Sequence, residues 1–129
     1  MAFRLSSGLR TALAGGTAGA LSAGGSFKTL MNNGWMDIYT GSQPISADYV
    51  ETGTKLVRIS STSGIGLGDG LKFGTAAAGV LPIGTPAWQG TVITSGVAGW
   101  SRFYGSSGTG GELGTNGTAH RFDGNCGIS

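Results

Sequence analysis

The fold is decided by short segments of alternating polar and apolar residues, which run from Trp35-Met36-Asp37-Ile38-Tyr39-Thr40-Gly41 to His120-Arg121-Phe122-Asp123-Gly124. A period of two is typical of β-strands, and the glycines that follow these segments indicate turns. Further strands are expected at residues 55–60, 70–74, 78–81, 87–94, 99–104 and 119–122. The spacing of strands and turns predicts an all-β fold, a small β-sandwich or jelly-roll-like domain.

The first 34 residues depart from this pattern and predict a short helical N-terminal arm. Leu5, Leu9 and Leu13 recur at i, i+4 and i+8, and the expected helix has a serine N-cap at Ser6 or Ser7 and a stop at Gly15. A flexible connector rich in Gly and Ala follows at residues 15–25, and then a second short helix is expected over residues 26–33. The sequence therefore divides into an arm with its connector, residues 1–34, and a β-sandwich domain, residues 35–129.

The leucine stripe of the arm needs a surface to pack against, because so short a helix is unstable alone in water. It can dock on the sheet of its own chain or on a neighbouring subunit, and the residues alone leave both open. An arm that orders against neighbours predicts an assembly interface made by Leu5, Leu9, Leu13 and Phe27.

Large apolar residues within the period-two segments predict the core of the β domain. The expected members are Trp35 or Tyr39, Val57, Ile59, Trp88, Val92, Trp100 and Phe122. Arg58 should point away from Val57 and Ile59, since neighbouring strand residues face opposite sides. The alternative for the aromatic residues is a platform that stacks sugars, which requires exposed rings.

The composition excludes several classes of function. Only 11% of the 129 residues are charged, the formal net charge is +2 and no Lys/Arg run occurs, so we expect no direct binding of nucleic acid. The single cysteine, Cys126, cannot form an intrachain disulfide. No stretch approaches the ~18 consecutive apolar residues of a membrane span. Residues 1–25 only superficially resemble a signal peptide, since glycines interrupt their apolar part.

The motifs that could carry chemistry lack the context that each chemistry needs. The run Gly64-Ile65-Gly66-Leu67-Gly68-Asp69-Gly70 precedes a strand-like segment instead of a helix, so we interpret it as a hairpin loop and not a phosphate site. His120, Asp123 and Cys126 include the residue types of a thiol hydrolase, but His120 and Asp123 would face opposite sides of a strand. Asn116-Gly117-Thr118 matches a glycosylation acceptor, although Asn-Gly is first a turn former. We therefore expect no catalytic residues, no metal site and no cofactor.

Several blocks of the chain together resemble a family of small structural proteins of tailed bacteriophages and prophages. The blocks are Arg4-Leu5-Ser6-Ser7-Gly8-Leu9-Arg10, residues 34–48, Glu51-Thr52-Gly53-Thr54-Lys55-Leu56, residues 71–80, Val97-Ala98-Gly99-Trp100-Ser101-Arg102-Phe103-Tyr104 and Arg121-Phe122-Asp123-Gly124. The chain departs from the family in its longer connector at residues 15–25. It also stops at Ser129, where such proteins continue with a further polar turn and strands, so we expect either an open last sheet edge, which can pair with another chain, or an incomplete sequence.

The resemblance implies a non-enzymatic virion protein that decorates or cements the capsid shell. The implied partners are the phage major capsid protein and further copies of the chain, and the implied location is the capsid surface, with the host cytoplasm before assembly. A neck or tail component is the alternative of the same class. A carbohydrate-binding adhesin module is the main alternative outside structural roles, and a hydrolase is a more distant one.

Overall fold

The computed structural model describes residues 3–14, 26–61, 70–105 and 120–127. These residues form one six-stranded antiparallel sheet and two short helices. In chain order the elements are β1 (Arg4–Leu5), α1 (Ser7–Leu13), α2 (Phe27–Met31), β2 (Trp35–Tyr39), β3 (Lys55–Ser60), β4 (Gln89–Val92), β5 (Trp100–Tyr104) and β6 (Arg121–Asn125). The strand order across the sheet is β1-β6-β5-β2-β3-β4, so β2 and β5 lie at its centre.

An apolar row crosses one face of the sheet, because residues directly opposite each other in paired strands share a face. From β1 to β3 its members are Leu5, Phe122, Phe103, Met36 and Ile59. The rings of Phe103 and Phe122 stack with their centroids 5.1 Å apart. This helix-side face is the base of the hydrophobic core.

Both helices pack on the helix-side face. Leu9 and Ala12 of α1 and Leu30 and Met31 of α2 are buried in one cluster with Phe103. Serine side chains cap both helices, since Ser6 accepts a hydrogen bond from the Leu9 amide and Ser26 accepts one from the Thr29 amide. The Ser6 hydroxyl also accepts a bond from the Arg121 amide, which fixes the start of α1 to β6.

The structure confirms a small, mainly β domain. Both helices lie where the sequence predicts them, as do β2, β3, β4 and β5, and Arg58 does point away from the apolar side of β3. The strand predicted at residues 119–122 overlaps β6 but ends three residues too early. The sandwich or jelly-roll arrangement stays a prediction, because the described residues form a single sheet. The connector at residues 15–25, most of the glycine-rich loop and the Asn-Gly-Thr motif lie outside the described residues.

Two predicted strands and one predicted core residue were wrong. Residues 70–74 and 78–81 form only isolated bridges, between Phe73 and Ile83 and between Ala77 and Val80. Val92 lies on a strand as expected, but its side chain is 68% exposed because nothing among the described residues covers that end of the sheet. Tyr39 and Trp100 are buried as expected, and Ile59, Trp88 and Phe122 pack partly buried against the core.

Candidate assembly surface

The residues predicted to form an assembly interface lie mainly in the chain's own core. Leu9 is fully buried, and Leu5 and Phe27 pack partly buried against the core cluster. Leu5 belongs to β1, which pairs with β6, and not to the helix. The structure therefore corrects the picture of a separate arm, since its first strand and both helices cover the helix-side face. Of the four residues, Leu13 offers the exposed surface, at 41%.

Among the described residues, the side chains of His120, Asp123 and Cys126 form no hydrogen bonds with one another. The Asp123 carboxylate accepts two hydrogen bonds from the Arg102 guanidinium, at 2.7 and 2.9 Å. Both ring nitrogens of His120 are buried without a hydrogen-bond partner among the described residues, so His120 does not activate the free thiol of Cys126. Within residues 3–14, 26–61, 70–105 and 120–127, no group of three His, Cys, Asp or Glu side chains could hold a metal ion.

The face opposite the helices carries a row of alternating charges that we call the charge ladder. Strand register places its members opposite one another across five adjacent strands, in the order Arg4, Asp123, Arg102, Asp37 and Arg58. The next position, on β4, is the uncharged Thr91. Opposite charges on facing strand residues stabilise a sheet, and here each carboxylate has an arginine on both sides.

Two bidentate ion pairs hold the ladder together. Asp37 accepts bonds from Nε and Nη2 of Arg58, both at 2.7 Å, and Asp123 pairs with Arg102 in the same way. Asp37, Arg102 and Asp123 are fully buried. Burial alone would lower the pKa of Arg102, but the hydrogen bonds and charge of Asp123 outweigh burial and raise it. The ladder carboxylates are therefore occupied by arginines, which leaves them poorly suited to acid–base work or metal binding.

Aromatic rings and a loop complete the burial of the ladder. The Tyr39 and Trp100 rings stack with centroids 4.7 Å apart, and the hydroxyls of Tyr39 and Tyr104 lie 2.9 Å apart. Burial raises the pKa of both tyrosines, so both hydroxyls stay protonated. The loop between β2 and β3 covers this face, since the Arg102 guanidinium donates to the Tyr49 carbonyl at 2.7 Å.

The tryptophans do not form an exposed platform of the kind that stacks sugars. Trp100 is fully buried, and Trp35 and Trp88 are partly buried. The Arg58 guanidinium lies 5.0 Å from the Trp35 ring centroid, and the Trp88 indole donates to the Lys72 carbonyl. All three rings thus serve internal packing, as the core interpretation of the aromatic residues predicts.

An exposed surface without charged groups lies at the β4 end of the sheet, in the part of the chain that the structure describes. No charged residue and no histidine occurs between Lys72 and Arg102. β4 lies at the end of the strand order with all four of its residues exposed, and residues 75–80 and 93–98 are exposed as well. We call β4, residues 75–80 and 93–98, and the exposed Ile83 the neutral edge. Its large exposed apolar side chains, each at least 60% exposed, are Val80, Ile83, Val92, Ile93 and Val97.

The neutral edge has the features of a contact surface for other proteins. Soluble proteins usually protect a terminal strand with lysine, proline or inward-pointing charges, and β4 contains none of these. Exposed apolar side chains concentrated in one segment are typical of interaction sites. The sequence carried a signal for this surface in the uncharged stretch after Lys72, but only the strand order shows that β4 within this stretch lies at the sheet edge.

Acidification should destabilise the domain through His120. Burial lowers the pKa of His120 in the folded state below its ordinary value. The unfolded chain therefore binds the proton more tightly, and stability falls as the pH drops below the unfolded value of about 6.5. We expect this group to contribute a loss of up to about 1.4 kcal/mol per pH unit below that value.

Urea unfolding of the wild type and of His120→Phe, at about pH 7.5 and about pH 5, isolates this contribution. The phenylalanine variant should lose less stability on acidification than the wild type, because it has no group that titrates at this position. Equal losses in the two proteins would show that other groups cause the acid sensitivity.

Comparison with protein-family models, with curated proteins and with solved structures found no match for the chain. Within the described ranges, no helix has the length and apolar character needed to cross a membrane.

Proposed function

We propose that the chain is a non-enzymatic structural protein of a tailed-bacteriophage virion, a decoration or cement protein that stabilises the capsid shell. The observation that carries this proposal is the neutral edge, an exposed and uncharged surface at an open end of the sheet. It suits stable contacts between subunits, because pairing at a sheet edge needs no counter-charge and apolar side chains gain free energy when covered.

Two further features support an assembly role. The blocks of sequence that resemble phage structural proteins include the strands β2 and β5, which carry Asp37 and Arg102 of the charge ladder. The described polar groups of the ladder bond to one another and to the loop that covers them, so their role is to hold the scaffold rigid. The proposed partner is the phage major capsid protein, and the proposed location is the outer surface of the capsid.

Binding to capsids that lack the protein tests the proposal. The double variant Ile83→Lys and Val97→Lys places charges on exposed positions of the neutral edge and should lower occupancy at least about tenfold, the effect of losing contact hot spots. The matched control is Ile45→Lys with Val50→Lys, which adds the same charges at exposed aliphatic residues elsewhere and should bind normally. Equal occupancy of the two double variants would contradict an interface at the neutral edge.

The number of copies per particle tests the location. Hundreds of copies of the bound protein would support the shell, whereas a closed ring of roughly a dozen or fewer would place it in the neck or tail. Failure of the wild-type protein to bind any part of the particle would overturn the structural role.

A further inference from the structure

We propose that β4 pairs with β4 of a second copy of this chain, antiparallel and around a two-fold axis that passes beside Thr91. The inference names one partner of the neutral edge and so rests on the proposed function, but it can be tested without any virus particle. It would join two six-stranded sheets into one continuous sheet.

The backbone of β4 directs hydrogen-bonding groups away from β3, and no described residue pairs with them. Val57 lies opposite Val92, and the Ile93 amide donates to the Leu56 carbonyl at 2.7 Å. In an antiparallel pair, residues alternate between those bonded to the partner strand and those whose N–H and C=O point away. Because the pair of Leu56 and Ile93 is bonded, Thr91 also bonds towards β3, whereas Gly90 and Val92 point outward.

A two-fold axis beside Thr91 lets every outward N–H and C=O of Gly90 and Val92 form a hydrogen bond with the second copy. Gly90 of one copy then lies opposite Val92 of the other, and the reverse pair also forms. Each pair exchanges two hydrogen bonds, so the two pairs supply four in total. The two Thr91 residues face each other as the intervening pair, a position at which threonine side chains hydrogen-bond across strands.

The side chains in this register are complementary in size. The apolar row of the helix-side face ends at Gly90, which lies opposite Ile59 and has no side chain. Val92 of the second copy would occupy the space beside Gly90 and continue the row. A side chain at position 90 is excluded within the chain itself, since an added Cβ would lie 2.4 Å from the Arg58 carbonyl oxygen. Gly90 of one copy and Val92 of the other are therefore complementary in size in this register.

The charges favour a second copy over a charged partner. The neutral edge contains no group that would repel an identical edge. In the joined sheet the two Thr91 residues separate Arg58 of one copy from Arg58 of the other by three strand spacings, about 14 Å. That distance exceeds the screening length of about 8 Å at physiological salt, and each Arg58 already pairs with Asp37. The strand is short, so we expect weak pairing in free solution that strengthens where copies are crowded.

Cysteine cross-linking tests the register in a full-length Cys126→Ser background. Thr91→Cys places two thiols opposite each other, with Cα atoms about 4.5 Å apart, within the range that a disulfide spans. The control Gln89→Cys lies on the same exposed strand, but its two copies would be offset by about 13 Å. Under mild oxidation, Thr91→Cys should form covalent dimers at least about tenfold faster. Equal rates, or faster cross-linking of Gln89→Cys, would overturn the proposed pairing.

Sedimentation over a range of concentrations gives a test without cysteine. Val92→Pro removes an outward amide that bonds to nothing within the described chain, so it should weaken self-association and leave folding intact. Val97→Lys, outside the strand, should associate like the wild type. If the wild type stays monomeric but still binds capsids, the neutral edge binds a shell protein and not a second copy. That result would overturn this inference alone. A dimer that binds no particle would support this inference and overturn the proposed function.

Discussion

Replacing Arg102 with methionine should lower the free energy of unfolding by about 3–5 kcal/mol, because it leaves a buried carboxylate without the arginine that forms its bidentate pair. Arg102 is fully buried and pairs through two nitrogens with Asp123, which is also fully buried. Methionine keeps much of the volume of the arginine stem, so the loss would arise mainly from charge. For a domain with a total stability of about 5–15 kcal/mol, this change is large.

Urea unfolding of Arg102→Met and of Arg10→Met measures the effect against a matched control. Arg10 is exposed, and its replacement should change stability by no more than about 0.5 kcal/mol. Adding Asp123→Asn to Arg102→Met should recover part of the loss, because it removes the unpaired buried charge. A double variant less stable than Arg102→Met alone would show that the cost comes from packing and not from the charge of Asp123.

The charge ladder also bears on the register of the sheet. Successive residues of a strand face opposite sides, so a slip of one residue would carry a ladder side chain to the helix-side face. Asp37 has arginines opposite it on both neighbouring strands, and a slip of β2 would place its carboxylate among apolar residues. The ladder therefore penalises incorrect register in addition to any stability that it contributes.

The strands that the sequence predicted well are those with a clear period of two. In β2 and β5 the alternation of residues determines both the strand and its two faces, as at Asp37 and Phe103. The ladder could not be predicted, because it depends on which strands lie side by side. Asp123 and Arg102 are adjacent only through the pairing of β5 with β6, and no local pattern specifies that pairing.

The segments that the sequence predicted poorly are governed by contacts with distant residues. Leu71 is apolar and fully buried, yet its backbone bonds to Asn33 and Gly34 after α2, so it does not join a strand. Val92 obeys the strand pattern, but its burial depends on whether another element covers the end of the sheet. The sequence shows that such residues are apolar, whereas only the tertiary arrangement determines what covers them.

Replacing Leu9 with aspartate should unfold the domain, whereas the same replacement of Leu13 should change stability by only about 1 kcal/mol, from the unfavourable charge at a helix C-terminus. The two leucines lie in the same short helix, but Leu9 is fully buried in the core and Leu13 is 41% exposed. The two variants therefore compare the same substitution at a buried and at an exposed position.

Circular dichroism and urea unfolding of Leu9→Ala, Leu9→Asp and Leu13→Asp would measure how far α1 belongs to the domain. Leu9→Ala should cost about 2–5 kcal/mol, the usual range for a buried leucine, and it keeps a measurable protein if Leu9→Asp does not fold. The cost arises because α1 covers the helix-side face, so the β domain cannot retain its stability when the helix is displaced. If Leu9→Asp instead kept the β-sheet signal and the unfolding midpoint of the wild type, the first helix would be a separate arm, free to order against another subunit.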